Sequence, residues 1–117
     1  MDVLKFVIGR LLEWRNANHK LKIAAIEALT PAVSQTVLYT HELRKGAPKD
    51  TEKENQLYTL WFAASSKVSS LDKDLAQNCL EKAKYWLFPE EYSQEKILEL
   101  DIQIIRMQSV LEQLKHK

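Results

Sequence analysis

Residues 97–114, ILELDIQIIRMQSVLEQL, place Ile97, Leu100, Ile104, Met107, Leu111 and Leu114 at spacings of 3, 4, 3, 4 and 3. Apolar side chains recurring every 3.5 residues collect into one stripe on an α-helix, and such a stripe leaves water only by packing on another helix. The stretch therefore predicts a helix seam, and with it a fold of helices lying side by side. Composition agrees. Only 2 glycines and 3 prolines occur in 117 residues, and β-branched residues form no long alternating run, which argues against turn-rich β architectures. With 45% hydrophobic and 28% charged residues the chain falls in the globular range, and its length suits one domain, 1–117, with a single modest core.

Upstream of the seam, Ser93 is the predicted cap of the last helix and Pro89 the stop of the one before. That third helix is predicted to start at an Asp72 cap. Its inward face is Leu75, Cys79, Ala83 and Trp86, with Ala76, Leu80 and Leu87 beside it. Thr51 and Glu54 form a capping-box pattern opening the second helix, whose buried side reads Leu57, Leu60, Trp61, Ala64, Val68 and Leu71. The first helical pattern runs from Asp2 to Lys45. It is stopped by Gly46, which suits a left-handed cap, and by Pro48, and it is interrupted at Thr30-Pro31. The expected fold is an all-α, antiparallel four-helix bundle with the long first helix kinked or split near Pro31.

Helix length makes that first segment conspicuous. At 1.5 Å per residue, a rod from Asp2 to Lys45 spans roughly 65 Å, against roughly 30, 24 and 33 Å for the other three. Either the chain bends near Pro31 and folds back on the seam, or residues 1–15 project from the bundle. On a helical projection Val3, Leu4, Val7, Ile8, Leu11, Leu12 and Trp14 cover about half the circumference, with Asp2, Lys5 and Glu13 opposite. Val3, Val7, Leu11 and Trp14 are thus candidates for a partner-binding face. The same face suits packing within the molecule, or a membrane interface with Lys5, Arg10 and Arg15 at the headgroups. A second candidate surface is Tyr85-Trp86-Leu87-Phe88-Pro89-Glu90-Glu91-Tyr92. Trp86 is expected inward there, and Tyr85, Phe88 and Tyr92 are candidate contacts, because rigid rings bury much area at low entropy cost.

Reaction chemistry finds little footing. The residues three before His19, His41 and His116 are Asn16, Leu38 and Gln113, so the Glu-x-x-His pattern of di-iron bundles is missing, and His41-Glu42 is not followed by a second zinc-binding histidine. Glu91, Glu95 and Glu99 share a helical face of the ordinary solvated kind. Cys79, the single cysteine, lies on the apolar side of its helix, where a thiol is usually an inert hydrophobe, and no base such as His41 is placed near it by the sequence. Two glycines, Gly9 and Gly46, cannot form a phosphate-binding loop or a dinucleotide fingerprint. No catalytic residue, metal, cofactor or small-molecule substrate is predicted.

Net charge of +1 gives no global pull on nucleic acid, though Arg15, Lys20 and Lys22 offer a local phosphate contact. No membrane-spanning run or signal-peptide core is apparent near Met1. The expectation is a cytoplasmic, non-enzymatic interaction protein, an adaptor, regulator or assembly subunit, acting through apolar helix faces on a protein partner or on itself as a homodimer. Peripheral membrane association through residues 2–15 is the alternative, and a nucleic-acid-contacting regulator ranks below it.

Overall fold

A computed structural model describes residues 9, 11, 13, 14, 17–91 and 93–115, the side chains of 89, 96–103 and 115 excepted. The described residues are helical, with no strand among them. α1 spans His19–Arg44, α2 Thr51–Val68, α3 Lys73–Tyr85 and α4 Gln94–Lys115, and a short 3-10 turn, Pro89–Glu91, lies before α4. α1 packs against α2 and against α4, and α2 in turn carries α3.

The helical pattern that the sequence carries unbroken from residue 2 to 45 is divided in the fold: residues 9, 11 and 13 are helical, and α1 starts anew at His19. The chain breaks at Ala17-Asn18, where the Asn18 side chain accepts a hydrogen bond from the Leu21 amide at 3.2 Å and caps α1. α1 is therefore 26 residues long, about 39 Å, close to the roughly 33 Å of the 22-residue α4. This break removes the length mismatch that the sequence implied. Leu11 and Trp14, on the far side of the break, are buried in the same core as the seam residues Ile104, Met107, Leu111 and Leu114. The side chains of Ile97 and Leu100 lie outside the described residues.

No split occurs at Pro31, since α1 continues through it. The missing proline N–H leaves the Glu27 carbonyl without its helical donor, and Glu27 is exposed, so water can serve that acceptor. Beside it Thr30 bonds back to the Ile26 carbonyl at 2.6 Å. The expected stop is present at the other end. Gly46 takes φ +98°, the Gly46 amide donates to the Leu43 carbonyl and the Ala47 amide to the Glu42 carbonyl, each at 3.0 Å.

The cap of α2 differs from the expectation by one residue. Asp50, not Thr51, accepts from the Lys53 amide, at 3.1 Å, and Glu54 is turned inward instead of closing a capping box. Asp72 caps α3 as expected, accepting from the Leu75 amide at 3.1 Å. Across the α2/α3 interface Ser65 donates to the Ala76 carbonyl at 2.6 Å. The buried sides follow the predicted stripes, Leu57, Trp61, Ala64 and Val68 on α2 and Leu75, Cys79 and Ala83 on α3, with Trp86 just beyond; Leu60 and Leu71 are only partly buried, and Leu87 is exposed. Each large apolar side chain so buried stabilises the fold by about 1.5–3 kcal/mol.

Two polar links run through this core. Thr36, 1% exposed, accepts from the Trp61 indole N–H at 3.0 Å while donating to the Ala32 carbonyl at 2.7 Å, tying α1 to α2. Near the α1–α2 turn, the Tyr39 hydroxyl donates to Glu54 at 2.7 Å and accepts from the Asp50 amide at 3.0 Å, and Lys49 lies 3.6 Å from the second Glu54 oxygen.

Candidate interaction surface

The residues singled out for partner contact fall in different places. Leu11 is 0% and Trp14 3% exposed, so both lie in the interior. Val3 and Val7 lie outside the described residues, as does Tyr92. Tyr85, expected outside, is 8% exposed: its ring meets Trp86 edge-on with centroids 4.9 Å apart, and Trp86 meets Tyr39 of α1 at 5.9 Å. The Lys82 ammonium stands 4.3 Å from the Tyr85 ring centre and 5.2 Å from that of Trp86, so the aromatic corner plugs the end of α3 against α1. Between the two described members of that set, Tyr85 and Phe88, it is Phe88 that is open to solvent, at 51%.

Large apolar side chains are exposed elsewhere, and a single exposed leucine or phenylalanine is ordinary. Grouping is the informative feature. Leu38 on α1 and Ile105 on α4 are each about half-exposed, and both line a groove of about 300 Å³ between those helices, together with Ser34, Val37, Thr40, His41, Arg44 and Gln108. Leu38 also borders a larger groove of about 730 Å³ on its other side, between α1 and α2. There the apolar lining is Pro31, Leu38, Leu57 and Leu60, the polar lining Gln35, Asn55, Gln56 and Thr59, and the end near the α1–α2 turn carries Tyr39, Glu42, Glu52 and Lys53. Leu38 is thus a crest with a trough on either flank.

Sequence reasoning passed over this crest, although a signal existed. At about 100° per residue, Leu38 lies roughly opposite the centre of the stripe formed by Ala25, Leu29, Ala32, Val33, Thr36 and Tyr39, and Ile105 lies roughly 140° from the seam of α4. A leucine directly opposite a buried stripe points away from the core. Reading it required knowing that α1 starts at His19 and that its inward stripe is this one.

Two side chains that line the larger groove, and the thiol of Cys79, are held in unreactive protonation states. Lys53 is held by Glu42 at 2.8 Å, and that hydrogen bond pushes its pKa up, keeping it a cation instead of a nucleophile. Tyr39 borders the larger groove, but burial, followed by its contact with Glu54, raises its pKa from 10.0 to about 12 against the opposing Asp50 amide bond. It keeps its proton at neutral pH. Cys79 is buried, and desolvation pushes its thiol from 9.0 up to about 12. Among the described residues no three His, Cys, Asp or Glu side chains gather as a metal site requires. No helix among them is long and apolar enough to cross a membrane.

No protein-family model matches the chain, and no curated protein and no solved structure matches it.

Proposed function

We propose that the protein is a small non-enzymatic interaction module, an adaptor, regulator or assembly subunit, that engages another protein surface with the outer face of α1. The observation carrying this reading is the Leu38 crest: half-exposed apolar side chains on two adjacent helices, flanked by grooves whose apolar and uncharged polar linings carry charged side chains toward the α1–α2 turn. Protein interfaces have this make-up, an apolar centre within a polar rim, whereas enzyme pockets need convergent titratable groups. The antiparallel bundle belongs to the same proposal, supported by the short links 45–50 and 69–72, as does a single domain over 1–117. A reduced, cytoplasmic setting fits the one buried cysteine.

The membrane alternative is not favoured. Leu11 and Trp14, two of the side chains needed for an interfacial helix over residues 2–15, are spent in the core.

The test is quantitative capture from a lysate of the native host with three immobilised forms: the wild type, Leu38→Asp, and Phe62→Asp as a control at a 51% exposed site that borders neither groove. Proteins retained by the wild type and by Phe62→Asp but lost with Leu38→Asp support the reading. The same bound set for all three overturns it.

A further inference from the structure

We propose that the amino end of α1 is a binding site for a terminal phosphate, taken as the free anion or as the monoester end of a small molecule. An α-helix begins with amides that have no intrahelical acceptor and with the positive end of its dipole. At α1 the Asn18 side chain takes the Leu21 amide and the Asn18 carbonyl takes that of Lys22. The amides of His19 and Lys20 have no acceptor among the described residues, and the first turn carries no acid to answer the dipole. Asn18, His19 and Lys20 are all exposed, so this end of the helix is open to a ligand. Leu38 lies 16 residues, about 24 Å, further along α1, so the site is separate from the proposed interaction face.

Water alone can serve a bare helix end, and Lys22 is what sets this one apart. It leads the buried stripe that continues through Ala25, Leu29, Ala32 and Thr36, where an apolar side chain fits best, and it is only 9% exposed. Its ammonium has no hydrogen-bond or ion-pair partner among the described residues, yet it is not sealed from solvent as the Trp86 indole N–H is. Helical side chains lean back toward the start of their helix, and Lys22 follows Asn18 by four residues on the same face. A lysine stem of roughly 6 Å covers the rise of one turn, about 5.4 Å, which brings the ammonium to the level of the free amides. A lysine that merely covers the rim of a core keeps a mobile stem. Here the stem is buried, the charge has no counter-charge, and it stands at the end of a dipole that repels it; an anion answers all of these together. Amides along the helix axis and an ammonium from the side suit the several terminal oxygens of a phosphate better than a flat carboxylate, and a phosphodiester has fewer free oxygens and less charge to offer.

Titration of the full chain with sodium phosphate at constant ionic strength, followed in amide nitrogen–proton NMR spectra, tests this. The His19 and Lys20 amides should show the largest shifts, and the shifts should saturate, a result that needs no substitution. Lys22→Met keeps the buried stem and removes the charge, so it should retain the helical circular dichroism while weakening phosphate binding by about tenfold or more. Lys84→Met, at an exposed lysine in the last turn of α3, should bind within about twofold of the wild type. Phenyl phosphate binding as tightly as the free anion identifies a monoester as the ligand, and weaker binding identifies the free anion. No saturable shift up to about 10 mM phosphate overturns the proposal. Shifts centred away from His19 and Lys20, or an affinity unchanged in Lys22→Met, overturn it equally. A single-stranded oligonucleotide without terminal phosphates that binds more tightly than either probe overturns the choice of a terminal phosphate in favour of a nucleic-acid backbone.

Discussion

Replacing Thr36 with valine removes one hydroxyl from the centre of the core while keeping its shape. Thr36 is 1% exposed, and its Oγ1 is the acceptor for the Trp61 indole N–H at 3.0 Å. Trp61 is itself 1% exposed, so the indole donor of Thr36→Val has no water within reach. A buried donor left unpaired costs about 1–3 kcal/mol, whereas the hydroxyl's own bond to the Ala32 carbonyl is a local back-bond of small net worth. The expected loss is therefore about 2 kcal/mol, or roughly 6–10 °C in Tm for a chain of this length. Thr40→Val is the internal control. Its hydroxyl also bonds back along α1, to Thr36 and Val37 carbonyls at 2.9 and 3.1 Å, but accepts from no donor among the described residues, so about 0.5 kcal/mol or less is expected. Urea denaturation followed by far-ultraviolet circular dichroism, with equal m-values for both variants, measures the difference. Equal midpoints for Thr36→Val and Thr40→Val would refute the claim that the Thr36–Trp61 bond joins α1 to α2.

Other perturbations follow the same physics. Tyr39→Phe strips the Glu54 carboxylate and the Asp50 amide of a partner at once and should cost about 1–3 kcal/mol, read in the same urea titration. Alkali should destabilise the fold: Tyr39 and Cys79 hold their protons up to about 12 in the folded state, so their contribution is complete below pH 9 and is lost as pH rises from 9 toward 12. Tyr39→Phe should flatten the part of that decline above pH 10, seen as melting temperature against pH. Cys79 should resist a thiol reagent in the native protein and react at once in urea, and rapid native labelling would contradict its burial. Trp14→Ala should cost about 3–5 kcal/mol in the urea midpoint, because the side chain lies in the core, 3% exposed; a loss below about 1 kcal/mol would place it on a surface.

The helices were legible where one periodic stripe met a plain stop. The spacing of Ile104, Met107, Leu111 and Leu114, the Asp72 cap and the Gly46 turn are local features, and local chemistry decided them. The start of α1 was not legible in that way. The apolar pattern of residues 3–14 and that of 25–39 follow one another without a proline or glycine between them, and Asn18 is a quieter punctuation than Thr30-Pro31. Proline inside a helix costs about 3 kcal/mol, which makes it the stronger local signal, yet packing on both sides of α1 outweighs that cost and carries the helix through. Glu54 was misread for a related reason. Its spacing from Thr51 matches a capping box, but Tyr39 comes from another helix, and a contact between residues 15 apart in sequence leaves no local pattern.

The placement of the break bears on the functional inference drawn from length. A first helix too long for its neighbours left two readings, a segment folded back on the seam or one projecting from the bundle, and the second made Val3, Val7, Leu11 and Trp14 a candidate contact face. Once the chain turns at Asn18, Leu11 and Trp14 fill the core, and α1 has α2 on one side, α4 on the other and one face left over. That face holds both Pro31, which weakens its own helix and lines the larger groove, and Leu38, which adds nothing to the core. Two residues that stability alone does not account for stand seven positions, and thus two turns, apart on one side of α1, and they are what supports placing the proposed interaction face there.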